Sequence, residues 1–494
     1  MEHQSNTVVG LDIGTTKIAC FVGQRAPGGK INILGYGRAA SKGVERGVVR
    51  NIKFTAESIS KAVSQASDMA GIDIKEVYVG IAGQHIKSIS STGAIMIPSD
   101  HKYIEQEDVD RLTEEQRNIL LNPGEEIIHI LAQRYIVDGD PLPTELDPVG
   151  VGGHQLAADF HIVTGNATNI RNIYESVGIA GLQVLGVVLE PIASSQAVLS
   201  EIDRLAGVAL VDIGGGTTDI AIFHEGIIRH TSVLPLAGNA ITSDIYENCN
   251  VLKEQAEKLK VKFGSCLPEA VNPNDIVTIP GIHKPSHLEI SMPLLAQIIQ
   301  ARTKDILDQV KFEIVQSGYD HRLVAGIVLT GGGAKLQNIR ELAEYVTATE
   351  THIGTPDTHL ANTSDPNLSH PMYATGIGLV IYALNHMPAS SEPIPDTETD
   401  TPTSQPEPPQ PQTPQAPPDT PQDTPATPQH SQGTPQQQQT STQNPDPDII
   451  EIPTKKTTPD GGTKTRNWMN DVQKWLERNI FTPIDRTEDD DDDL

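Results

Sequence analysis

Two segments about 200 residues apart carry the same uncommon pattern, and their repetition constrains the fold more than any other feature of the chain. Residues 8–12 are a short β-branched run that enters the turn Gly14-Thr15-Thr16-Lys17, after which residues 18–22 resume a strand. Residues 208–212 are a second such run, with Gly214-Gly215-Gly216-Thr217-Thr218 as the turn and residues 219–223 as the returning strand. A hairpin turn requires neither the preceding aspartate (Asp12, Asp212) nor the paired threonines, so a duplication that keeps both points to a shared ligand. Glycine permits positive φ angles that aim successive N–H groups into one concavity. The threonine hydroxyls add donors and Lys17 adds a positive charge, a combination suited to a polyphosphate.

A third turn lies further on. Residues 326–330 form an apolar strand that stops at Gly331-Gly332-Gly333, with a helix expected over 336–346. The first amides and dipole of such a helix suit a phosphate or ribose, and the missing Cβ atoms let a nucleotide base lie against backbone. Taken in order, the three turns resemble the two phosphate loops and the adenosine loop of the actin, hexokinase and Hsp70 superfamily. The resemblance implies an α/β fold: an actin-like, two-lobe ATPase architecture with RNase H-like mixed sheets and ATP with Mg²⁺ in the cleft. By it, Asp12 and Asp212 face the metal through water, since Mg²⁺ keeps much of its hydration.

Insertions and termini decide the branch, because a fold alone does not give function. Residues 77–83 and 160–165 read as buried strands, and the stretch between them reads as an inserted small α+β subdomain: a strand over 88–97, a charged helix over 105–121 and a strand over 126–137. This placement resembles the 1C subdomain of the FtsA family, and the local sequence from Val77 to Ile86 is similar to that family's. The resemblance implies boundaries at 6–83, 164–205 and 349–386 for the first lobe, 84–163 for 1C, and 206–348 for the second lobe, with an insertion, 2B, at about 241–300. Glu190 precedes Pro191 and resembles the family residue that faces the γ-phosphate, which makes Glu190 and Asp212 the catalytic candidates; the same Glu-Pro pair is also a plain helix start. Glu257 and Lys260, three apart on one helix, resemble the family pair that reaches ribose and adenine, and read equally as a solvated ion pair. Gly376 and Gly378 fit close helix packing.

The C-terminal part is set apart by composition. Residues 388–460 hold 19 of the 36 prolines, with many Thr and Gln and few large apolar side chains. Such a segment buries too little surface to offset chain entropy, so a disordered linker is expected over 387–462. Beyond it, Trp468, Met469, Val472, Trp475, Leu476, Ile480 and Phe481 recur at helical spacing on one face of an expected helix, 463–483. Its amphipathic stretch, 466–481, is about 16 residues or roughly 24 Å, too short to span a bilayer, so the helix is expected to lie in the lipid interface; docking into a protein groove is the competing role. An acidic tail, 484–494, comes last and opposes anionic lipid.

The formal charge of −28 repels nucleic-acid phosphates, and no basic stripe interleaved with aromatics offsets it, so nucleic acid is not an expected partner. Three widely spaced cysteines fit a reducing compartment, and no segment reads as a secretion signal or a membrane span. FtsA resemblance implies a cell-division protein on the cytoplasmic face of the inner membrane. It implies ATP-dependent self-association into filaments, tethering of polymers of the tubulin-like protein FtsZ, and recruitment of later division proteins, with at most slow hydrolysis. A small-molecule kinase and an Hsp70-like chaperone share the ATP cleft and are the alternatives. The kinase has no use for a lipid-facing tail, and the chaperone needs a β-rich peptide-binding domain where this chain has linker.

Overall fold

A computed structural model describes residues 7–386, apart from 27, 145, 281–286 and 362–364. The expected linker, the expected helix over 463–483 with Trp468 to Phe481, and the acidic tail lie outside the described residues. Strands β1 (Thr7–Ile13) and β2 (Lys17–Arg25) form the first hairpin, with Ile13 opposite Ile18, and β3 (Ile31–Ala40) continues the sheet. Helix α1 (Ile52–Ala70) starts at Asn51, whose side chain accepts the Phe54 N–H, and stops at Gly71 in the left-handed region. It packs so tightly on β3 that a Cβ at Gly37 would lie 2.0 Å from the Ala62 carbonyl oxygen.

β4 (Glu76–Ile81) lies parallel to β1, and the chain then leaves the lobe. β5 (Lys87–Met96), α2 (Gln106–Glu115), β6 (Glu125–Val137) and β7 (Gln155–Asn166) build a separate sheet in the order β5–β7–β6, closed at its edge by Asp140–Pro141. The buried run at 160–165 is thus the second half of β7, an inner strand of the inserted sheet. It is buried along its whole length, His161 and Thr164 included, because both its faces are covered. Phe160 and Ile162 pack with Leu112 of α2, while Val163 joins a cluster with second-lobe residues and His161 Nε2 meets Thr231 Oγ1 at 3.0 Å. After α3 (Ala167–Ile179), β8 (Gln183–Leu189) completes the first sheet in the order β8–β4–β1–β2–β3.

The second lobe repeats this plan. Helix α4 (Glu190–Val198) leads towards β9 (Val208–Ile213), β10 (Thr218–His224) and β11 (Ile227–Leu234). Helices α5 (Gly238–Cys249) and α6 (Lys253–Phe263), a hairpin of Ile276–Pro280 with His287–Ser291, and α7 (Met292–Gln316) come next. β12 (Ile327–Thr330), α8 (Ile339–Thr347) and β13 (Thr351–Ile353) complete a sheet of order β13–β12–β9–β10–β11. Each sheet has an antiparallel hairpin pair at its centre, an antiparallel third strand on one side and two parallel strands on the other. The sequence repeat is therefore a repeat of topology, and the fold is the actin-like two-lobe one.

Helix α9 (Ala374–His386) returns to the first lobe and crosses α4. A Cβ at Gly378 would lie 1.8 Å from the Ala193 carbonyl oxygen, and one at Gly376 would lie 2.2 Å from Phe21 Cε2. Gly378 thus lets α4 and α9 approach backbone to backbone, and Gly376 makes room for the Phe21 ring of β2. Among the described residues no helix is long and apolar enough to cross a membrane.

Candidate nucleotide site

The two duplicated turns face each other across the lobes. A Cβ at Gly215 would lie 2.3 Å from Thr16 Cγ2, and a Cβ at Gly216 would lie 2.4 Å from Thr15 Oγ1. None of Gly14, Gly214, Gly215 or Gly216 has a positive φ, so the expected reason for these glycines is corrected: close approach, not left-handed backbone, requires them. Gly331 does adopt a positive φ, +85°. A Cβ there would lie 2.3 Å from Asp212 Oδ1, and one at Gly333 would lie 2.4 Å from Ile213 Cγ2, so the third turn lies over the end of β9. Gly332 is exposed and has open space on its Cβ side.

The helix expected to start at 336 starts at Ile339 instead, after a 3₁₀ turn over Gly333–Lys335 and with Asn338 in the left-handed region. The amides at the third turn are therefore those of the 3₁₀ turn and not of α8.

Beneath the turns lies a group of charges. Asp12 is 4% exposed, Asp212 6% and Asp219 2%. The Lys17 ammonium donates to Asp12 Oδ2 at 2.6 Å. Burial works against the lysine's charge, but Asp12, Asp212 and Glu190 outweigh it and raise its pKa. Burial and the Asp12 charge push Asp212 up to about 6, against the Thr375 hydroxyl, which donates to Asp212 Oδ2 at 3.1 Å. Glu190, in the first turn of α4, is held well above the ordinary carboxylate range by burial and then by Asp12, Asp219 and Asp212. Burial, with Asp212 beside it, does the same to Asp219. Among the described residues no three His, Cys, Asp or Glu side chains converge closely enough to hold a metal ion directly.

Asp219 is the acidic residue that motif reading passes over, although it comes directly after the paired threonines. Its Oδ2 accepts from Thr217 Oγ1 at 3.1 Å, while its Oδ1 is buried with no partner among the described residues. Gly80 is a second omission; a Cβ there would lie 3.2 Å from Glu190 Cγ, so a larger residue would push this carboxylate aside. The hydroxyls divide their roles. Thr15 Oγ1 accepts the Gly47 N–H at 3.0 Å, and fully buried Thr218 donates to the Leu236 carbonyl at 2.8 Å, which anchors the turn itself.

Glu257 and Lys260 lie on α6 and reach the same region through α5. The first two amides of α5 donate to the carbonyls of Gly214 (3.1 Å) and Gly215 (2.7 Å). Lys260 Nζ in turn donates to the Gly238 carbonyl (3.0 Å) and Thr242 Oγ1 (2.9 Å), and pairs with Glu257 Oε2 (2.7 Å). Lys260 is 12% exposed and Glu257 43%, so the pair is more than a solvated surface bridge.

The chain matches the family model "Cell division protein FtsA" over residues 209–378 and the model "SHS2 domain inserted in FTSA" over 83–164. The cell division protein FtsA of Pseudomonas aeruginosa is 37% identical over 377 residues, covering 76% of this chain and 89% of the relative. That of Escherichia coli strain K12 is 34% identical over 382 residues, covering 76% and 90%. Among solved structures, the PilM-PilN type IV pilus biogenesis complex superposes with a TM-score of 0.54 at 15% identity, covering 76% of this chain and 98% of that one, a likeness of fold. With its duplicated lobes, its insertion and relatives of this similarity, the chain belongs to the FtsA family of cell division proteins.

Proposed function

We propose that this protein binds ATP with Mg²⁺ between its duplicated turns and uses the bound state to assemble with copies of itself and to tether FtsZ polymers to the cytoplasmic face of the membrane. The observation that supports this best is the juxtaposition of Thr15 and Thr16 with Gly216 and Gly215 above Asp12, Lys17, Glu190, Asp212 and Asp219. The facing turns touch, so a triphosphate takes its place by parting them, with backbone N–H groups of 14–17 and 215–218 as donors, the Gly214 N–H being held by the Thr217 carbonyl. Lys17 supplies a positive charge, and Gly332, with open space on its Cβ side, leaves backbone open to adenosine. The bound cation would neutralise phosphate charge, and a set of carboxylates too dispersed to ligate it directly suits one that keeps its own waters, with Asp12 and Asp212 facing it. Asp219, with one oxygen unpartnered, adds to that negative field. Glu190, its basicity raised, stands as proton acceptor for water beside the turns. The domain boundaries given above, the ribose and adenine contacts of Glu257 and Lys260, and the membrane face Trp468 to Phe481 belong to the same reading.

Calorimetric titration of the full chain with ATP and Mg²⁺ tests it. Saturable binding is expected, weakened at least about tenfold, or about 1.4 kcal/mol, in Asp212→Ala and Gly216→Val. Unchanged affinity in both variants would place the nucleotide elsewhere.

A further inference from the structure

A groove of about 470 Å³ opens on the far side of the α4–α9 pair, where the β2–β3 connection meets the short helix Glu201–Ala206 and the segment around His359. Its lining carries three cations, Arg25, Lys30 and Arg204, against one acid, Glu201, together with the ring of His359, in a chain of net charge −28. Arg204 gives one hydrogen bond, from Nη2 to the Ser195 carbonyl at 2.8 Å, and its guanidinium stacks 5.5 Å over the Phe223 ring. Its Nε is buried and has no hydrogen-bond partner among the described residues. Burial, then Arg204 and Lys30, hold the His359 ring below its usual pKa, so it offers a neutral hydrogen-bonding ring beside the three cations, while Glu201 and Asp203 act on Arg204 and Asp357 acts on His359.

The described chain ends at the rim of this groove. Arg25 Nη2 donates to Asn385 Oδ1 at 2.7 Å, and Asn385 itself lines the groove, one residue before the last described one. The next stretch of the chain is complementary in charge. Glu392, Asp396, Glu398 and Asp400 come within fifteen residues of Asn385, and the first lysine or arginine after Asn385 is Lys455. Seven residues separate Asn385 from Glu392, roughly 23 Å extended, and fifteen separate it from Asp400, roughly 50 Å, so the whole acidic set can reach the groove from its own rim. A tethered segment also meets its site at high effective concentration, so modest Coulomb attraction suffices.

We propose that this groove is the docking site of the chain's own acidic segment, residues 392–400, which folds back onto Arg25, Lys30, Arg204 and His359. Docking shortens the part of the chain between the folded body and its C-terminal end, and it is released by salt or by a competing anion.

Fluorescence anisotropy of a dye on the full chain tests this, with Thr397→Cys as the probe and His430→Cys as the control; the native Cys20, Cys249 and Cys266 are buried. At about 0.05 M salt the dye at 397 is expected to show about twice the anisotropy of the dye at 430, and the excess is expected to vanish near 1 M. It is also expected to vanish in Lys30→Glu and in the chain with E392Q, D396N, E398Q and D400N together. Equal anisotropies at low salt, or an excess at 397 that survives both charge changes, overturn the proposal. If the two dyes are equally mobile while tripolyphosphate shifts the His359 imidazole NMR signal, the groove takes a free polyanion and the docking proposal falls.

Discussion

A single methyl group separates two explanations of the glycines in the second turn. If Gly216 were present for backbone freedom, Ala or Val would strain the turn alone; because the space beside it is filled by Thr15, the added carbon instead forces the facing turns apart. Gly216→Val is therefore expected to keep its circular dichroism spectrum while losing nucleotide affinity. Asp212 makes a different kind of prediction, because its burial is a cost. Its folded pKa, about 6, stands above the ordinary aspartate value of 3.8, so the folded state holds a proton that the unfolded state releases. The contribution of this group to stability is highest below pH 3.8 and is lost as pH rises through about 6, by up to about 3 kcal/mol. Asp212→Asn, which still accepts from Thr375, should raise the melting temperature at pH 7.5 without nucleotide, and raise it much less at pH 4.5. An equal gain at both pH values would mean that the carboxylate is not the destabilising group. Such a residue trades stability for a negative charge placed ahead of its ligand.

At the scale of elements, what the sequence made legible reflects what local patterns encode. Both hairpins and the inserted strands could be read because β-branched runs end at turn residues, and Gly376 and Gly378 could be assigned to packing because they interrupt an otherwise large apolar helix. The start of α8 could not be read, since Leu336 continues the apolar spacing while Asn338 in the left-handed region breaks the backbone before Ile339. Nor could the ownership of 160–165, because a strand covered on both faces looks alike in either sheet. Gly80 escaped for a third reason, since its role comes from Glu190 far away in the chain, and Asp219 escaped because it reads as the first residue of the returning strand. The α4–α9 crossing is the element most exposed to a small change. With only 1.8 Å between a Cβ at Gly378 and the Ala193 carbonyl, Gly378→Ala must move one helix off the other. A loss of about 3 kcal/mol in urea unfolding is expected, and a loss below about 0.5 kcal/mol would show that the helices slide freely.

The whole molecule joins two matching lobes through crossed helices and carries its C-terminal residues beyond the described body. On the proposed reading, nucleotide controls assembly in the body while Trp468, Trp475 and their apolar neighbours hold the chain to lipid. Flotation of the full chain with anionic vesicles should be reduced several-fold by replacing both tryptophans with Ala, and nucleotide binding should be untouched; flotation that ignores the tryptophans would mean that lipid is held by other residues and that this segment is not the anchor. In that proposal, assembly and tethering alike depend on two repeated turns sharing one triphosphate. The most direct measurement is a density map of the full chain with a non-hydrolysable ATP analogue and Mg²⁺. Phosphate density is expected between residues 14–17 and 214–218, with adenosine beside Gly331 to Gly333; ordered nucleotide density anywhere else on the molecule would contradict a shared site.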